Sequence, residues 1–308
     1  MTGSAFPLSL GAAGSHAGKL RRALQPGRLL MAPGVFDCLT ARLAECCGFS
    51  AVYMTGSGVS ISRLGAPDVA LLSFAEILDQ AKRIADVTTL PVIADADTGY
   101  GGPLNVIRTV REMERAGIAA IQIEDQEWPK RCGHELGRKL VSREEMVSRV
   151  KAAVDARIGA DLMIIARTDA RTMDGLDEAL DRAHAYVEAG ADIIFVESPE
   201  SVEEMRRVTG EVRAPTLANQ VEGGRTPMLP ADELQAIGFG LAIYPNSITR
   251  LFGHMGQLLF TELRESGSTR AFADRMLDHR ALWELFEHRK FIELEAQYAV
   301  QGKGDGHD

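Results

Sequence analysis

At 308 residues, with 45% hydrophobic and 25% charged residues, the chain has the balance of a globular protein with ample core, at a length ordinary for one barrel domain. A net charge of −9 leaves no basic footprint for nucleic acid, although a local group of cations can still hold an anionic substrate. No apolar run approaches the ~20 residues that span a bilayer, and the N-terminus lacks the early positive charge of a secretory signal.

The first 18 residues are biased to Gly, Ala and Ser and read as a flexible arm. Cys38, Cys46, Cys47 and Cys132 match neither a zinc site nor a disulfide framework. Adjacent Cys46 and Cys47 read as buried small apolar residues, and the whole fits a cytoplasmic protein.

From residue 29 onward two patterns alternate. Short β-rich apolar runs occupy 29–33, 51–55, 91–95, 119–124, 163–168, 192–197, 215–219 and 241–245. Between them lie segments with apolar residues at helical spacing, such as 103–116, 142–156 and 176–189. Continuous apolar strands separated by helices indicate a parallel sheet buried on both faces. Eight such units fit a closed (β/α)8 TIM barrel over residues 19–265, and no GxGxxG follows the first strand to suggest a dinucleotide fold. Residues 266–300 carry more apolar surface than a free tail should, including Phe272, Leu277, Trp283, Phe286 and Phe291. We read them as a helical segment exchanged between subunits, with a disordered tail at 301–308.

Active sites of such barrels lie at the C-terminal ends of the strands, and polar residues collect there. Asp95 and Asp97 close strand 3, Glu124 and Asp125 strand 4, Arg167 and Asp169 strand 5, Glu197 strand 6 and Asn219 strand 7. Asp68 follows strand 2. Residues two apart on a strand share a face, so Asp95 and Asp97 should converge, with Glu124 approaching from the next strand. Carboxylates grouped without a histidine suit a hard, oxygen-preferring cation such as Mg²⁺.

The loop after strand 4 reads Lys130-Arg131-Cys132-Gly133-His134. Positive neighbours stabilise a thiolate, and with no base or oxyanion hole in view Cys132 suits a general acid better than a nucleophile. Gly133 permits close approach of the backbone to a ligand. The fork of Arg167 suits a carboxylate, with Glu197 orienting it or His134. Tyr53 ends strand 2, and Thr55-Gly56-Ser57-Gly58 offers backbone N–H groups and hydroxyls to a second anionic group.

At these residues the sequence resembles the isocitrate lyase/phosphoenolpyruvate mutase superfamily, over about residues 29–300. The motifs are 94–101 (ADADTGYG), 123–126 (IEDQ) and 129–134 (PKRCGH); the last is similar to the catalytic-cysteine loop of the lyase branches. The resemblance implies a homotetramer with an exchanged helix. It implies Mg²⁺, or Mn²⁺ in its place, on Asp95 and Asp97, with Glu124 and Asp68 acting through water. Thr55, Gly56 and Ser57 would hold the carboxylate of a 2-oxo acid, Arg167, His134 and Asn219 would line the rest, and Tyr53 would be the base.

The implied reaction is cleavage of a 2-hydroxy dicarboxylate, such as the 2-alkylmalate 2,3-dimethylmalate, to a 2-oxo acid such as pyruvate, with Cys132 as proton donor. Arg167, Lys130 and His134 would supply positive charge as the bond breaks. The alternatives are methylisocitrate cleavage and the mutase or oxaloacetate hydrolase branches; a non-catalytic barrel fits the intact set of acids poorly. Val221, after strand 7, stands where methylisocitrate lyases tend to carry a hydroxyl residue, which favours an alkyl substituent.

Overall fold

The computed structural model describes residues 13–131, 133 and 137–299, with the side chains of 13–15 excepted. Cys132 and His134 lie outside the described residues, as do most of the expected arm and the expected tail. Eight strands, β1 (Leu30–Val35), β2 (Val52–Met54), β3 (Val92–Asp95), β4 (Ala120–Glu124), β5 (Met163–Thr168), β6 (Ile193–Val196), β7 (Leu217–Asn219) and β8 (Leu241–Tyr244), form one parallel sheet. The order runs β6-β5-β4-β3-β2-β1-β8-β7, and a parallel bridge from Ile194 to Thr216 joins its two ends, closing the barrel.

Two apolar cores follow from strand alternation. Side chains pointing outward, among them Val52, Ala94, Ile121 and Ile164, pack under the surrounding helices. Those pointing inward, among them Ile93, Ile165, Ile193 and Leu241, fill the interior. The expected arm of residues 1–18 needs correction at 13–18, its described part, because a helix runs from Ala13 to Ala23. Its Ala17 and Leu20 belong to the interior core, so burial of that face holds as helix what composition alone reads as mobile.

A second correction concerns Cys46 and Cys47. They end the helix Cys38–Cys46 on its solvent side, and both are exposed.

The chain divides into two compact units, with the break between His254 and Met255. In the described part of the second unit, 255–299, the helix Ser247–Ser266 is continued by a 3-10 turn, Arg270–Arg275, and by helices His279–Leu285 and His288–Tyr298. None of these elements has a buried residue, and Phe260, Trp283, Phe291 and Ile292 are among their exposed apolar side chains. Among the described residues no helix is long and apolar enough to cross a membrane.

Candidate active site

At the C-terminal ends of the strands lies a cleft lined by Tyr53, Thr55, Ser57, Asp68, Asp95, Glu124, Lys130, Arg131, Gly133, Arg167, Glu197 and Asn219. Every described residue expected at the site is in this lining except Gly56 and Asp97. Gly56 stands against it: a Cβ there would come 2.9 Å from Asp95 Oδ2. Phe195, Val221, Ile243 and Pro245 form an apolar wall. The free volume is about 40 Å³, room for one or two waters.

Thr55 caps the helix Gly56–Leu64, accepting from Gly58 N–H at 3.3 Å, and Thr55 and Ser57 bring this helix N-terminus to the cleft. Gly56 N–H donates to Asp95 Oδ2 at 3.3 Å.

Asp95 ends β3, but Asp97 does not continue the strand, contrary to the alternation argument. It sits in a turn at φ +49°, and its N–H donates to Asp95 Oδ1 at 3.1 Å. The convergence of the two acids is made by a left-handed turn, a strain typical of functional sites. Tyr100 and Ser198, also near strand ends, share positive φ.

The expectation for Lys130 also needs correction. Its Nζ lies 2.6 Å from Asp68 and 2.7 Å from Asp97, almost wholly buried. It therefore neutralises the acids and is not a free cation awaiting substrate. Burial works against its charge, but Asp97 and Asp68 raise its pKa well above the usual lysine value. Burial pushes Asp97 up to about 6 and Glu124 well above the carboxylate range. Tyr53 donates to Gln122 Oε1 at 2.9 Å, and burial, then Asp95, push its phenol upward.

Arg167 is gripped by three acids. Its Nη2 lies 2.9 Å from Asp169 and 3.3 Å from Glu197, and its Nη1 3.4 Å from Glu124. The guanidinium also stacks 5.0 Å over the Phe195 ring. Glu197 thus orients Arg167, one of the two partners expected for it, and also accepts from Asn219 Nδ2 at 3.1 Å. A Cβ at Gly133 would collide with Arg167 Nη2; this glycine admits the arginine, where a ligand was expected. Both chain neighbours of Cys132, Arg131 and Gly133, line the cleft.

Among the described residues no three acid, imidazole or thiol side chains close tightly on one point as a metal cage. The donor set nevertheless fits a hard cation. It is all oxygen, Glu124 Oε1 is buried without a hydrogen-bond partner, and Asp97 Oδ1 meets Lys130 only as an ion pair. Sparse carboxylates of this kind suit an ion that keeps waters or substrate oxygens in its shell.

Residues 20–262 match the family model described as phosphoenolpyruvate phosphomutase. A 2,3-dimethylmalate lyase of Eubacterium barkeri is 50% identical, covering 92% of this chain and 98% of its own. The chain belongs to the phosphoenolpyruvate phosphomutase family. A 2-methylisocitrate lyase of Halalkalibacterium halodurans is 41% identical, with 94% and 95% covered.

Among solved structures, one of 2,3-dimethylmalate lyase, described as a PEP mutase/isocitrate lyase superfamily member, superposes with TM-score 0.87 at 38% identity over 96% of this chain and 99% of that one. Oxaloacetate acetylhydrolase with 3,3-difluorooxalacetate gives 0.87 at 37%, with 92% and 97% covered. Phosphonopyruvate hydrolase with oxalate and Mg²⁺ gives 0.83 at 31%, with 92% and 99% covered. The family and the TIM-barrel fold implied by the sequence motifs are thus those of its relatives, and the chain is an enzyme of a group that includes named lyases.

Proposed function

We propose that this enzyme is a divalent-metal-dependent carbon–carbon lyase that cleaves a 2-alkylmalate such as 2,3-dimethylmalate to pyruvate and a carboxylic acid. The observation that carries the reading is the make-up of one cleft. Asp68, Asp95 and Glu124 share its lining with Lys130, Arg131 and Arg167 and with the apolar Phe195, Val221, Ile243 and Pro245. Such a cleft suits a small polyanion with an alkyl substituent.

In this reading Asp95 and Asp97 hold the ion, Mg²⁺ or Mn²⁺, and Glu124 and Asp68 hold its water. When bound it would draw the substrate hydroxyl and carboxylate together, lower the hydroxyl pKa and offset the acids beside Tyr53. The 2-oxo acid carboxylate rests on the N–H groups and hydroxyls of Thr55, Gly56 and Ser57. Tyr53, as its phenolate, takes the hydroxyl proton; burial and then Asp95 raise its pKa, so the phenolate forms only with added positive charge nearby. The C2–C3 bond then breaks, its electron pair passing to the departing fragment as an enediolate, with C2 becoming the carbonyl of the 2-oxo acid. Arg167 and the chain around Gly133 face that fragment, His134 adds charge, and the Cys132 thiol returns a proton to carbon.

Val221 offers no hydrogen bond to a third carboxylate, and an unpaired buried polar group costs about 1–3 kcal/mol. This supports 2,3-dimethylmalate over 2-methylisocitrate. Pyruvate release followed by coupling to lactate dehydrogenase tests the reading: we expect activity lost on chelation and restored by Mg²⁺ or Mn²⁺. Full activity after exhaustive chelation contradicts it.

The exposed apolar side chains of the described residues 255–299 support, in the same reading, a homotetramer in which these helices are covered by neighbouring subunits. Light scattering should give a tetramer for the full chain, and a soluble active monomer lacking residues 268–297 would contradict it.

A further inference from the structure

Behind the cleft lies a buried ionic group that the proposed reaction does not use. Asp169, fully buried after β5, accepts from Arg167 Nε at 3.1 Å and from Nη2 at 2.9 Å. It also accepts from Gln126 Nε2 at 3.4 Å and pairs closely with Arg138, whose side chain has no solvent exposure.

Arg138 and Gln126 are the two limbs of the loop that leaves β4. Gln126 grips the outgoing limb at Arg131, accepting from its N–H at 2.9 Å and donating to its carbonyl at 3.0 Å. The limbs are laced by Glu127 N–H to Lys139 O at 2.8 Å and by a bridge from Gln126 to Leu140. One carboxylate therefore ties both limbs to the arginine of the cleft.

We propose that Arg138 is a positioning residue for Arg167, acting through Asp169. The charge of Asp169 is shared between two guanidinium groups. Removal of Arg138 would leave that full charge on Arg167, drawing its fork back from the cleft and cancelling more of its field where substrate charge develops. The return limb would lose the buried ion pair that ties it to Asp169. Nε and Nη2 of Arg138 have no hydrogen-bond partner, so a shorter neutral side chain leaves few groups unsatisfied there.

The inference rests on the reading in which Arg167 meets the substrate, so its test uses a binding probe that needs no turnover. Oxalate affinity, measured by calorimetry with Mg²⁺ present, is compared in the wild type, Arg138→Gln and Arg138→Lys, alongside melting temperature, kcat and KM. We expect Arg138→Gln to bind oxalate at least tenfold more weakly and to lose tenfold or more in kcat wherever the wild type turns over. Arg138→Lys, with charge but no fork, should fall between the two. A merely structural role would lower the melting temperature and leave oxalate affinity in the folded fraction unchanged.

Wild-type affinity in folded Arg138→Gln overturns the proposal. If that variant does not fold, wild-type affinity in Arg138→Lys overturns it. Wild-type enzyme that binds oxalate but cleaves no 2-hydroxy diacid refutes the proposed substrate and leaves this test standing.

Discussion

The two ends of the barrel obey opposite rules. At the N-terminal end, Ala17 and Leu20 of the first helix lie in one apolar core with Leu30, Ala51, Ile93, Ala119 and Met163. Charges there stay at the rim, where Asp192 receives Arg21 and Arg157, each at 2.9 Å. At the C-terminal end Asp95, Asp97, Glu124, Lys130, Arg167, Asp169 and Glu197 are buried together. Burying that many charges costs more than an apolar layer of equal volume would, and left-handed turns at Asp97 and Ser198 add strain. The floor contributes stability, the mouth gives some up for chemistry, and substitutions should separate accordingly.

The largest effect should come from the mouth. Asp95→Asn removes a charge that organises Gly56, Asp97 and Gln122. We expect metal affinity by calorimetry and turnover to be lost together while the protein stays folded. Retained metal affinity would break the assignment of that acid.

Cys132→Ser should cost roughly 10²–10⁴ in kcat, the range of a lost general acid, with substrate affinity kept; a serine hydroxyl is too weak an acid to stand in. An unimpaired serine variant would return the thiol to a structural part.

The floor should respond in the other currency. Leu20→Ala opens a void in a fully buried position and should lower stability by about 2–5 kcal/mol, read by denaturant unfolding. Its kcat at a temperature where it is folded should match wild type; a large fall would mean that floor and mouth are coupled.

The smallest effect is expected at the apolar wall. Val221→Thr keeps the volume and adds a hydroxyl, and should move the preference between 2-methylisocitrate and 2,3-dimethylmalate by about tenfold toward the former, on the scale of one hydrogen bond.

The same contrast explains what could be read from sequence. The strands were legible because parallel strands buried on both faces are continuous apolar runs, and because their polar terminators fall at one end of a barrel by topology alone. Asp95, Glu124, Arg167, Glu197 and Asn219 all gained their place that way. Lys130 did not, because its partners Asp68 and Asp97 lie 62 and 33 residues away and no local pattern links them. Arg138 escaped for a like reason: it meets Asp169 31 residues on, in a loop without periodicity. Phe195 and Ile243 read as core because they are core, and only closure of the barrel shows that their inward faces also border the cleft. The helix over the floor was hidden by a Gly/Ala/Ser bias that says nothing about where Ala17 and Leu20 can be buried.

The measurement that bears most directly on the central claim is a comparison of kcat/KM for pyruvate release from 2,3-dimethylmalate and 2-methylisocitrate, each with Mg²⁺ and after chelation. The account requires metal-dependent turnover with 2,3-dimethylmalate ahead of 2-methylisocitrate by tenfold or more. Equal or better use of 2-methylisocitrate would contradict the apolar wall as the selector, and metal-independent turnover of every substrate would contradict the lyase mechanism itself.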